Sequence, residues 1–154
     1  MSVGDFTDIL TTIIALLALI VSFFAFKRST LAAMGQTEIL LSERISQTKN
    51  QVIQITLQMA PFISKQELTE EEKRTLAIYK KSFNAYVEDN LNAYDEACSK
   101  YIDNKVDRKR FEKNYRISIR QLVENPDFKS YFDPLSSRYK RILKVYREWE
   151  DTEN

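Results

Sequence analysis

The 154-residue chain contains no histidine, one cysteine, two glycines and three prolines. Each shortage closes off a class of chemistry. Without histidine, the commonest general base and the commonest metal ligand are missing. A single cysteine, Cys98, forms neither an intramolecular disulfide nor a structural zinc site. With no histidine to activate it, and on an apolar helix face, Cys98 reads as a core thiol rather than a nucleophile. Gly4 and Gly35 stand apart, so there is no glycine-rich phosphate loop. The segment Asp103-Asn104-Lys105-Val106-Asp107 faintly resembles a calcium loop, but Lys105 occupies a position that needs an oxygen ligand. These absences argue against an enzyme, a metal site or any other cofactor. Few turn-formers, with 29% charged residues, indicate an all-α fold.

Charge is also missing from one long run. Ile9 to Phe26 is eighteen residues without a charged side chain, followed at once by Lys27 and Arg28. As a helix it spans about 27 Å, close to the hydrocarbon thickness of a bilayer. A soluble domain that could wrap such a helix would need more chain than remains. A cleaved signal peptide would start basic, whereas Met1 to Asp8 has Asp5 and Asp8 and no Lys or Arg. The expectation is a transmembrane helix over 9–26. By the positive-inside rule, a tail at 1–8 lies outside and everything from Lys27 lies in the cytoplasm. One unpaired thiol fits that reducing compartment.

The run has a face of its own. Thr11, Ala15, Ala18, Ser22 and Ala25 recur at spacings of four and three. Small residues in such a stripe let two helices pack closely in lipid, so the anchor is expected to self-associate. At the same spacing the stripe reaches Ser29, Ala32 and Gln36.

Residues 27–60 read as a long juxtamembrane stalk helix. Leu41, Ile45, Val52, Ile55 and Met59 form a heptad seam that begins at Met34 and is interrupted by Glu38 and Thr48. The seam serves either a coiled coil with another copy or packing on the chain's own later helices. It lies about 200° from the continued small stripe. Either the helix breaks near Ser29 to Gly35, or the two faces bind different things. Pro61 marks the expected boundary of a cytoplasmic domain, 61–154, built as a small C-terminal helical bundle. Thr69 and Glu72 form a capping box for its first helix, which runs to about Ile102. Asp107 caps a second helix, which stops before Asn125-Pro126. Asp133-Pro134 starts the last one, lined by Leu135, Tyr139, Ile142, Tyr146 and Trp149. Tyr79, Tyr86, Tyr94 and Tyr101 share a stripe that reads as core rather than as an aromatic ligand slot.

Two charged stripes stand out. Lys109, Lys113, Arg116 and Arg120 fall within about 40° of arc, away from their helix's apolar face. Glu88, Asp95 and Asp103 form an acidic stripe opposite the preceding helix's core face. The basic stripe suits anionic lipid, or the acidic stripe of another copy. Nucleic acid is not indicated, since net charge is +1 and no known binding module is present.

Leu91 to Pro126, with Asn92-Ala93-Tyr94-Asp95, Tyr101, the Asp107 turn and Phe111, resembles an uncharacterised family of small bacterial membrane proteins. That resemblance implies one N-terminal membrane helix with a cytoplasmic helical domain, in a bacterium, and transfers no catalytic residue. The expected function is a single-pass inner-membrane interaction or scaffold protein, homo-oligomeric, with a cytoplasmic protein partner. The alternative is a membrane-disrupting or pore-forming effector triggered through its cytoplasmic domain; Thr11, Thr12 and Ser22 in the anchor favour it.

Overall fold

A computed structural model of the chain describes residues 3–151, with side chains described from Thr11 onward. Positions 1 and 2 of the expected outer tail lie outside the described residues, as do the side chains of 3–10. All the regular structure described is helical: α1 Val3–Ile63, α2 Glu70–Ile102, α3 Arg108–Glu124 and α4 Lys140–Asp151, with a short 3₁₀ helix at Pro126–Tyr131. The chain divides into two compact units, Met1–Gln36 and Thr37–Asn154.

Among its described residues the first unit is helix alone. Its apolar side chains from Ile13 to Phe26 are all exposed. No break occurs between Ser29 and Gly35. Gly35 has open space where a Cβ would stand, so close approach is not what its small size serves.

The second unit begins at Thr37, which corrects the division expected at Pro61. The reason is burial. Leu41 and Ile45 belong to one core with Val87, Leu91, Tyr101, Phe111, Ile119, Ile142 and Trp149, and Val52 packs against it. Ile55 and Met59 are buried as well. The heptad seam is therefore covered by the chain's own helices. Both polar interruptions of the seam are tertiary contacts. Glu38 accepts the Asp107 backbone N–H at 2.8 Å and pairs with Arg110 at 3.0 Å, at the start of α3. Thr48 accepts from Asn90 Nδ2 at 2.9 Å while donating to a carbonyl of its own helix. A carboxylate beside a helix N-terminus is favoured by the dipole and by the open N–H groups there. Pro61 does not end α1, which continues one half-turn to Ile63.

The starts of α2 and α3 are set locally. Thr69 and Glu72 close a reciprocal capping box, and Lys65 bonds Glu72 at 2.7 Å. The Lys65 bond, then those to Thr69, hold the Glu72 carboxyl down from 4.5 to about 2. Asp107 caps α3 by accepting from Arg110 N–H at 2.9 Å. Between α2 and α3 the chain turns through Asn104 at φ 54°, a left-handed conformation that Asn tolerates better than most side chains.

The last helix starts later than its sequence signals suggest. Asp133 does accept N–H bonds from Leu135 and Ser136, but these close a turn, not a helix. Leu135 is 93% exposed and no part of the core, which corrects its expected place. The Ser137 hydroxyl donates to the Tyr131 carbonyl and accepts from Tyr139 N–H, so the chain is redirected before helix begins at Lys140.

Candidate functional site

No cluster of three or more His, Cys, Asp or Glu residues converges on a metal position among the described residues. Cys98 is fully buried, and burial pushes its thiol up, away from the nucleophilic thiolate. Each surface expected from the sequence has a definite place in the structure.

The acidic stripe is divided. Asp95 is buried rather than exposed, a correction with a plain cause. Its Oδ1 accepts the backbone N–H groups of Arg141 and Ile142 at 3.2 and 3.4 Å. Its Oδ2 takes Arg141 Nη1 at 2.8 Å. A carboxylate on α2 thus does for α4 what a cap residue does from within the chain. Glu88 lies 3.9 Å from Arg138, and Asp103 ends α2 on the surface. Replacing Asp95 with Ala should cost the Thr37–Asn154 unit about 1–3 kcal/mol, since it leaves first-turn donors of α4 without their acceptor. Urea denaturation of the wild-type and variant proteins measures this, and a loss below about 0.5 kcal/mol would contradict the capping role.

The basic stripe is divided in the same way. Lys109 and Lys113 are exposed. Arg116 instead donates to the Trp149 carbonyl at 2.6 Å and to Glu112 at 3.1 Å. Arg120 holds Glu150 through Nε at 3.0 Å and Nη2 at 2.6 Å. Both arginines grip the last turn of α4, where its carbonyls gather negative charge. The expectation of four residues on one open face is corrected to two. A 12-residue helix is marginal by itself. Here it is held at its start by Asp95 and at its end by Arg116.

The tyrosine stripe splits between core and surface. Tyr94 and Tyr101 are buried. The Tyr101 hydroxyl donates to Glu148 at 2.8 Å and accepts from Trp149 Nε1 and Arg108 Nη2, each at 3.0 Å. Arg108 also stacks over the Tyr101 ring, 4.1 Å from its centroid, and pairs with Glu148. Desolvation first, then the neighbouring carboxylate, raise the Tyr101 phenol against the opposing pull of Trp149 and Arg108. This fully bonded group ties α2, α3 and α4 together and offers nothing to a ligand.

Tyr79 and Tyr86 are half-buried along an open groove of about 870 Å³ between α1 and the first half of α2. Gln47, Asn50 and Gln54 line its other wall. Amides and hydroxyls there can exchange hydrogen bonds, and Glu43 adds a carboxylate to the lining. Sequence reading singled out Tyr79 and Tyr86 on one wall, as core, and missed the polar face of α1 that forms the other. It also missed the outward-facing Ile39, Ile53 and Leu57, which are exposed.

The anchor stripe, Thr11, Ala15, Ala18, Ser22 and Ala25, is exposed along the helix of the first unit. Among the described residues one helix is long and apolar enough to cross a membrane by length and composition, and none of that stretch is covered. Comparison with protein-family models, with curated proteins and with solved structures finds no match.

Proposed function

We propose that the chain is a single-pass inner-membrane protein that displays its second unit in the cytoplasm as an interaction or scaffold module, and that it self-associates. The observation that carries this reading is the bare apolar helix of the first unit. Ten large apolar side chains from Ile13 to Phe26 lie open. Covering such side chains gains about 1.5–3 kcal/mol each, so leaving ten in water forgoes on the order of 15–30 kcal/mol. A domain of this size is stable by only about 5–15 kcal/mol. Lipid is the cover that a helix apolar all round calls for. Lys27 and Arg28 then keep the following chain on the cytoplasmic side. Exposed Lys109 and Lys113 would each add about 1 kcal/mol at an anionic leaflet, an auxiliary attraction rather than an anchor.

In cells, alkaline carbonate should leave the full chain in the membrane pellet at its full 18.1 kDa. A reporter active only in the cytoplasm should work when fused after Asn154. Release of the chain by carbonate, a shortened product, or activity confined to a periplasmic reporter would each sink the reading.

A further inference from the structure

Where the 3₁₀ helix lies against α2, the second unit has a cavity of about 440 Å³. Phe83 and Asn84 line it from α2, and Asp127, Phe128, Ser130 and Tyr131 from the 3₁₀ helix. We propose that this cavity binds a small quaternary ammonium ion. The proposal rests on the second unit alone and is independent of the membrane reading.

The aromatic side chains supply the first reason. Phe83, Phe128 and Tyr131 pack against the core but are only half-buried. A 3₁₀ helix has three residues per turn, so Phe128 and Tyr131 stand one above the other on one side of it. Their ring centroids are 6.4 Å apart and their planes meet at 66°, which makes two walls at an angle rather than a stack. The Asp127 N–H bonds Asn125 Oδ1 at 2.9 Å and fixes the start of this turn. A ring face carries negative potential, so rings set at an angle round one space suit a cation whose charge is spread over alkyl groups.

Charge supplies the second. Asp127 is the one charged side chain in the lining. Elsewhere in the unit, Glu38, Asp95, Glu148 and Glu150 are each taken up by an arginine. Among the described residues no Lys or Arg pairs with the Asp127 carboxylate.

Together these features select among ligands. An anion is repelled by the carboxylate and by the ring faces alike. One carboxylate with an amide and a hydroxyl is too few oxygens for calcium. A neutral apolar molecule would cover the rings but take water from the carboxylate without replacing it. A primary ammonium is compact and strongly hydrated, and gains less from the rings. A quaternary ammonium ion lays its methyl groups on the rings and places its charge beside Asp127. Asn84 and Ser130 then offer hydrogen bonds to a hydroxyl on the same ligand. The volume lies toward the small end of ligand sites, which run from about 300 to 1,000 Å³.

Choline is the probe, and its control is dimethylbutanol, the uncharged isostere with carbon in place of nitrogen. Each is titrated against the full chain in a nonionic maltoside detergent at constant ionic strength, with empty micelles as the blank. Broadening of the ligand's methyl proton signal reads binding. Choline should saturate with a Kd on the order of 1 mM, and the isostere should bind at least about threefold more weakly. Asp127→Asn keeps the shape, removes the charge and lies on an exposed residue, so the fold should survive. It should weaken choline at least about threefold. Phe128→Leu keeps apolar bulk and removes one ring, and should weaken choline about threefold while leaving the isostere nearly unchanged. Far-ultraviolet circular dichroism checks that each variant is folded. No saturable choline binding, equal binding of choline and the isostere, or undiminished choline binding by folded Asp127→Asn would each overturn the proposal. The carbonate and reporter tests of the anchor are untouched by any of these results.

Discussion

A fragment beginning at Thr37 should fold into a soluble, cooperatively melting helical domain, and a fragment beginning at Pro61 should not. The shorter fragment discards Leu41, Ile45, Ile55 and Met59, all buried. Burial of four such side chains contributes on the order of 6–12 kcal/mol, which is comparable to the whole stability of a small domain, about 5–15 kcal/mol. It also discards Glu38, which bonds the start of α3, and Thr48, which bonds Asn90 on α2. Urea melts followed by far-ultraviolet circular dichroism decide it. The 37–154 fragment should give one sigmoidal transition, and the 61–154 fragment a shallow or absent one. A 61–154 fragment that melts as sharply and as late as the longer one would mean that residues 37–60 lie on the domain without supporting it.

Trp149→Ala should cost the 37–154 fragment about 3–5 kcal/mol, in the range seen when a large buried aromatic is truncated. Trp149 is 2% exposed. Its ring meets Tyr101 edge-on at 5.4 Å and lies 6.2 Å from Phe111, so the truncation opens a hole where α2, α3 and α4 meet. Its indole N–H also supplies one of the bonds on the Tyr101 hydroxyl. Trp149→Phe keeps much of the area and gives up that bond, and should cost less than half as much. Denaturation midpoints at equal slope separate the two variants. An alanine variant within about 1 kcal/mol of wild type would contradict the packing described.

Much of the helical layout could be read without coordinates, because its causes are local. The capping box at Thr69, the Asp107 cap and the residue before Pro126 place the start of α2 and both ends of α3, and each works through groups only a few residues apart. The start of α4 shows where local signals mislead. Asp133 and Pro134 carry every mark of a helix N-terminus, yet the carboxylate is used up in a turn and helix begins seven residues later. What begins the helix is Asp95, 46 residues away from Arg141.

By itself, then, the sequence determined that the protein is helical, that one run of it is too apolar to be left in water, and where two of the later helices begin and end. Those properties follow from the hydropathy of single side chains and from hydrogen bonds that close within a turn. Only the tertiary structure decided what each amphipathic or charged face is for. Glu38 and Thr48, which look like flaws in a coiled-coil seam, bond groups 69 and 42 residues along the chain. Arg116 and Arg120 look like an open basic face, yet they grip α4 across 33 and 30 residues. A side chain's charge and spacing fix the kinds of partner it can take. Which partner it meets depends on where distant backbone is brought by burial, and burial is a property of the whole core.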